Sequence, residues 1–155
     1  MEKAYFPMFV DISEMKIIVA GGGHIAERRI RTLIKFASDV TVIAPEVTES
    51  LKKLEMEGRI ICLHREYQTG DIKDADMVLA ATNDRSLNQK IAQECRETEQ
   101  KNGRRILLST ASDRSLCDFY FPSVIMQDEI VIGINSGGKD PGKVRQVRER
   151  LEKNL

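Results

Sequence analysis

Apolar and polar positions alternate along this chain in two rhythms. Short apolar runs at 16–20, 39–44, 59–63, 77–81 and 105–109 have the length and β-branched content of buried strands. Between them apolar residues recur at helical spacing. The segment 24–37 carries Ile25, Ile30, Leu33, Ile34 and Ala37 on one side, with Arg28, Arg29, Arg31 and Lys35 expected mostly in solvent. A charged helix is predicted over 48–57, ended by Gly58, and a longer one from a cap at Asp84 or Ser86 to Lys101, ended by Asn102-Gly103. A polar connection containing Gly70 separates the third and fourth strands. The order is β-α-β-α-β-α-β-α-β or close to it, which predicts an α/β, Rossmann-like, doubly wound parallel sheet with right-handed crossovers.

After residue 109 the rhythm changes. Residues 119–126 and 129–135 read as strands separated only by Gln127-Asp128, hairpin spacing that makes them antiparallel. A second glycine-rich loop follows, Ser136-Gly137-Gly138-Lys139-Asp140-Pro141-Gly142, and then a basic helix with Val144, Val147 and Leu151 as its apolar stripe. The expected division is 1–112 for the sheet domain and 113–155 for the appended segment. A hairpin beside an open sheet has edges to protect, and pairing with a second subunit is one way to protect them. Residues 4–10, apolar and interrupted by Pro7, read as an irregular or edge lead-in.

The candidate chemistry begins where the first strand ends. Gly21, Gly23 and Ala26 fit G-x-G-x-x-A, with Gly22 inside the turn. In this motif the first glycine makes a sharp turn, the second lets a pyrophosphate approach the backbone, and the small third residue lets helix and strand pack. Free N–H groups and the helix dipole then face the phosphates. Glu46, following Pro45 about 20 residues beyond the turn, is either an acceptor for adenosine ribose hydroxyls or a solvated residue at a helix start. No Arg stands beside it to meet a 2′-phosphate, which leans towards NAD over NADP. Thr82 and Asn83, polar residues just beyond the fourth strand, suit the crevice where open α/β sheets bind ligands.

Composition narrows the field. Lys+Arg and Asp+Glu are both 24, so no global field points to nucleic acid. Trp is absent and aromatics are 5%, which argues against stacking platforms for single strands. Cys62, Cys95 and Cys117 are widely spaced and form no C-x-x-C, so free thiols in a cytoplasmic protein are expected, with no metal site. Residues 1–10 lack the apolar core of a signal peptide, and no run is long enough to span a membrane.

Together these pieces resemble the precorrin-2 dehydrogenase / sirohydrochlorin ferrochelatase family, the N-terminal module of siroheme synthase. The matching residues are Phe6-Pro7-Met8-Phe9, Gly21-Gly22-Gly23-His24-Ile25-Ala26-Glu27-Arg28-Arg29, Thr41-Val42-Ile43-Ala44-Pro45, Ala80-Ala81-Thr82-Asn83-Asp84, Leu116-Cys117-Asp118-Phe119-Tyr120-Phe121-Pro122 and Ser136-Gly137-Gly138-Lys139-Asp140-Pro141. They occur in family order and span nearly all of the chain. The resemblance implies NAD-dependent oxidation of precorrin-2 to sirohydrochlorin by a homodimer paired through the segment after the sheet. It also implies that His24, Ile25, Pro45 and Glu46 contact NAD and that Ser136 lines the tetrapyrrole site.

The chain departs from the family pattern at two places. Where the family often carries Asn-Val-Val-Asp, with the Asp a proposed base, this chain reads Ser109-Thr110-Ala111-Ser112. Asp113, next in line, is then the candidate proton acceptor, or a solvated loop residue beside Arg114. Ser112 and Ser136 are candidate positioners, since an unassisted hydroxyl is a poor base at neutral pH. The resemblance also implies a further C-terminal helical region, which is expected to be absent or truncated in a chain ending at Leu155. The many carboxylates of the substrate suit Lys139, Lys143, Arg145 and Arg148, which otherwise form a solvated helix face. The alternatives are a bifunctional dehydrogenase and ferrochelatase, and a non-catalytic NAD(H)-binding sensor, which fold alone does not separate.

Overall fold

The computed structural model describes residues 5–155. They form two compact units, one spanning Asp11–Phe119 and the other made of residues 5–10 with Tyr120–Leu155. Residues 113–119, expected with the second segment, lie in the first unit. Ala4 of the expected lead-in falls outside the described residues, and residues 5–10 form no helix or strand.

The first unit is a five-stranded sheet. The strands β1 (Lys16–Ala20), β2 (Asp39–Ile43), β3 (Ile61–Leu63), β4 (Met77–Ala80) and β5 (Leu107–Thr110) are all parallel, in the order β3-β2-β1-β4-β5. A parallel sheet covered on both faces requires continuous apolar strands, and Ile17, Val19, Val42, Val78, Leu79 and Leu108 are fully buried. The helices are α1 (His24–Leu33), α2 (Glu49–Met56) and α3 (Arg85–Asn102). Thr48 caps α2 by accepting from the Leu51 N–H, Asp84 caps α3 by accepting from the Leu87 N–H, and Gly103 ends α3 in the left-handed region at φ 65°.

Helix α1 stops at Leu33, four residues short of the expected Ala37, and residues 34–36 form turns. Between β3 and β4 the chain keeps the expected polar connection, and no helix crosses there. A run of turns covers the sheet there, with Ile72 and Ala75 fully buried beneath it. It is fastened by Arg65, whose two terminal nitrogens each donate at 2.9 Å to a different oxygen of Asp71. Glu94 of α3 adds to this by accepting from Tyr67 Oη and from the Gly70 N–H, both at 2.6 Å. Arg28, Arg31 and Lys35 are exposed, as expected for most of the charged positions of this segment, while Arg29 is half-buried and its guanidinium donates to Ser109 Oγ at 3.4 Å.

Beyond β5 a single 3₁₀ turn (Arg114–Leu116) returns the chain along that outer strand. The Asp118 N–H donates to the Leu108 carbonyl and the Leu108 N–H to Asp118 Oδ2, both at 2.8 Å. Arg96 and Arg105 each donate to Asp118 Oδ1 at 2.9 Å.

In the second unit, β6 (Ser123–Gln127) and β7 (Ile130–Ile134) pair antiparallel. The turn between them is Asp128-Glu129, one residue later than expected, and Asp128 takes φ 51° as hairpin geometry requires. Helix α4 (Pro141–Asn154) follows, capped by Asp140 Oδ1 accepting from the Lys143 N–H at 2.8 Å. Its stripe of Val144, Val147 and Leu151 is half-buried, as the spacing predicts. No helix among the described residues is long and apolar enough to cross a membrane.

Candidate functional site: a glycine cradle at the sheet's switch point

From β1 the chain moves to one side of the sheet, through β2 and β3. From β4 it moves to the other, to β5. The carboxyl ends of β1 and β4 therefore border the crevice at which open α/β sheets take their ligands. Gly21, Gly22 and Gly23 leave β1 at this point.

The three glycines do different work. Gly21 sits at φ 115°, and a Cβ there would lie 2.3 Å from the Ala81 carbonyl oxygen, so the turn is wedged against the exit of β4. Gly22 is wedged on the other side, where a Cβ would lie 2.4 Å from the Glu46 carbonyl oxygen. The Gly21 N–H donates to the Ile43 carbonyl and the Thr48 N–H to the Gly22 carbonyl, each at 3.0 Å. These bonds fix the turn to the end of β2. At Gly23 the situation reverses, because a Cβ would meet no atom within 4 Å. The cradle is clamped from behind and open in front.

Gly23 is also the N-cap of α1, and no side chain caps that helix. The first-turn amides of His24, Ile25 and Ala26 thus have the orientation and dipole that suit an anion. Ala26 is fully buried where α1 lies on the sheet, while His24 and Ile25 are exposed beside the opening. Pro45 and Glu46 are exposed on the neighbouring loop. An open face at Gly23, uncapped amides and an acidic side chain one loop away fit a dinucleotide's diphosphate and ribose.

The far wall of the crevice is a polar network that the sequence pattern did not reveal. Among the described residues, the buried polar side chains are Asn88, Ser109 and Thr110, and all three stand at or next to the carboxyl ends of β4 and β5. Asn88, 1% exposed, accepts at Oδ1 from the Thr82 N–H (3.2 Å) and the Thr82 hydroxyl (2.7 Å). Its amide nitrogen donates to the Thr82 carbonyl (3.1 Å) and to Ser112 Oγ (3.3 Å). Ser112 Oγ is also 3.2 Å from Thr110 Oγ1. Asn88 therefore ties Thr82 to Ser112, while Asn83 is left exposed at the rim. A shallow depression lined by Asp11, Asp76 and Arg105 lies at the opposite, amino end of the strands.

Asp113 caps the 3₁₀ turn, with Oδ1 accepting from Ser115 Oγ at 2.6 Å and the Ser115 N–H at 2.9 Å. The Ser115 hydroxyl, then its N–H, hold the carboxyl below the usual carboxylate range. In the second unit, Ser136 Oγ accepts from the Asp140 N–H at 3.0 Å, which folds the second glycine loop with Gly137 and Gly138 both left-handed. Lys139 and Lys143 are exposed at the start of α4, Arg145 is paired with Glu149 at 2.9 Å, and Arg148 is half-buried. The cofactor candidates thus gather on the first unit and the substrate candidates, apart from Ser112 and Asp113, on the second.

This chain is similar to the siroheme synthase of Actinobacillus pleuropneumoniae serotype 3, with 36% identity over 148 residues, covering 96% of this chain and 29% of the relative. It is 38% identical over 151 residues to the "Probable multifunctional siroheme biosynthesis protein HemA" of Ruminiclostridium josui, covering 96% of this chain and 28% of that one. The chain spans less than a third of the length of these curated relatives. Among solved structures, "SirC, precorrin-2 dehydrogenase" superposes with a TM-score of 0.81 at 22% identity, over 97% of this chain and 71% of that one, and so shares its fold. Residues 8–123 match the sequence family described as "Putative NAD(P)-binding", and with the clamped glycine cradle inside that stretch, the chain belongs to this family.

Proposed function

We propose that this chain is an NAD-dependent oxidoreductase that converts precorrin-2 to sirohydrochlorin in siroheme biosynthesis, acting in the cytoplasm as a homodimer. The observation that carries the reading is the extent of the likeness to siroheme synthases. It covers 96% of the chain, including the hairpin, the second glycine loop and α4, which a nucleotide-gating domain does not need.

NAD, when bound, supplies the hydride acceptor. The chain's own residues do the rest. The amides of His24, Ile25 and Ala26 grip the diphosphate at the open face of Gly23, and Glu46 accepts from the adenosine ribose. Asn88 holds Thr82 rigid, so that Thr82 and Asn83 form a fixed edge for the cofactor. Fixing the cofactor is what brings donor carbon and acceptor within reacting distance. Asp113 takes the proton lost from the macrocycle, with Ser112 and Ser136 as hydrogen-bonding positioners. Because two bonds from Ser115 already stabilise the Asp113 carboxylate, it is a weak base that passes the proton on to water. Lys139, Lys143, Arg145 and Arg148 pair with substrate carboxylates, Arg145 by exchanging its partner Glu149.

The test is an anaerobic incubation of the full chain with precorrin-2 and NAD, following sirohydrochlorin absorption and NADH together. Equimolar appearance of both is expected. Tight NADH binding with no turnover would reduce the protein to a sensor. Sedimentation of the same sample as a monomer would remove the homodimer.

A further inference from the structure

Two strands away from β1, at the sheet's short edge, lies a cluster that the cradle does not use. Cys62 on β3 and His64 just after it are two residues apart, so both side chains fall on one side of the strand. Glu55, in the last turn of α2, faces them. The thiol sulfur, an imidazole nitrogen and a carboxylate oxygen lie within 4.8 Å of one another. His64 Nε2 is 3.1 and 3.0 Å from the two Glu55 oxygens, so the ring points at the centre of the carboxylate.

From this juxtaposition we propose that Glu55, Cys62 and His64 bind a zinc-class divalent transition metal, with a fourth position left to solvent, and so pin α2 to β3. The donor set decides the class. A thiolate with an imidazole and a carboxylate suits zinc or cobalt(II) and disfavours magnesium or calcium, which take oxygen ligands. Spacing agrees, because tetrahedral zinc ligands stand about 3.3–3.8 Å apart, and rotation of the exposed His64 ring closes the remaining gap. Charge placement agrees too. A carboxylate in the last turn of a helix opposes the helix dipole, and a divalent cation at that point reverses the penalty. Cys62 is 9% exposed while His64 lies open to solvent, which gives the ion a protected sulfur ligand and an entry path. Glu55 already hydrogen-bonds both the His64 ring and the Cys62 thiol, which brings the three donors to one point, and a metal ion there would displace the thiol proton.

Cobalt(II) titration of the untagged full chain tests the proposal. One equivalent should bind and produce the near-ultraviolet absorption of a thiolate–cobalt bond. Cys62→Ser should abolish that band and His64→Gln should weaken binding by more than the roughly 10–100-fold that losing an outer-sphere partner costs. Cys117→Ser should leave both unchanged. Cobalt binding without the thiolate band, or a band that survives Cys62→Ser, overturns the assignment. Should either variant misfold, alkylation of the wild-type chain decides. Zinc must slow modification of Cys62 by roughly tenfold or more and leave Cys117 unaffected, and equal rates with and without zinc refute the site.

Discussion

Substituting each cradle glycine by alanine separates the turn's structural task from its binding task. At Gly21 the new methyl group meets the Ala81 carbonyl oxygen at 2.3 Å on a backbone held at φ 115°. The left-handed conformation costs about 1–3 kcal/mol for a residue with a side chain, and forcing a methyl into packed backbone costs about 1–3 kcal/mol more. The central value, about 4 kcal/mol, lowers the melting temperature by about 8–16 °C for a chain of this size. At Gly23, by contrast, the methyl enters open space on an extended backbone of φ −87°. Gly23→Ala should therefore melt with the wild type while obstructing the diphosphate's approach. A misplaced methyl of that kind costs about 1–3 kcal/mol, or about 10–200-fold in affinity. Calorimetric melts read the first effect, and titration of NADH fluorescence reads the second. If Gly23→Ala melts as low as Gly21→Ala, or binds NADH as well as the wild type, the front of the cradle is not where the cofactor sits.

Three further outcomes are expected. Asn88→Ala strips partners from the Thr82 N–H and carbonyl, so it should cost about 2–4 kcal/mol in a denaturant melt and weaken NADH binding; an unchanged midpoint would refute the network's role. Asp113→Ala should change the melting temperature little yet sharply lower the dehydrogenation rate, and full retained activity would remove it as the proton acceptor. The Asp71 carboxyl is held below its ordinary value by Arg65, so its contribution is present above the unfolded pKa of about 3.9 and fades as pH falls through the lower folded value. Asp71→Asn should therefore cost about 1–2 kcal/mol at neutral pH, allowing for the partly exposed arginine, and the gap to wild type should close in acid melts.

Much of this architecture was legible because local chemistry and tertiary need agree. The apolar runs became the five parallel strands, and the two-residue spacing near 127 marked an antiparallel hairpin. The glycine triplet did mark the switch point, but periodicity could not say which glycine was wedged. Gly22 matches no marked position of the motif, and its constraint comes from Glu46, 24 residues away. The turns between β3 and β4 were invisible as a covering layer, because their stability comes from side-chain bonds to Asp71 and Glu94 rather than from a repeating pattern. Asn88 did leave a signal: it stands on the apolar stripe of α3 with Ile91, Ala92 and Cys95 at i+3, i+4 and i+7, and a polar residue there must find buried partners. Glu55 left none, since only the packing of α2 on β3 brings it to Cys62 and His64.

The return of the chain along β5 has a consequence for how two copies could meet. Leu108 already exchanges main-chain and carboxylate bonds with Asp118, so that flank offers an incoming strand no continuous ladder. The opposite flank is β3, three residues long, too brief to template much of one. Both borders of the sheet are therefore poor templates for a neighbouring strand. The proposed homodimer would then rely on side-chain packing or on the hairpin, and crosslinks engineered at the outer strands should fail to trap it.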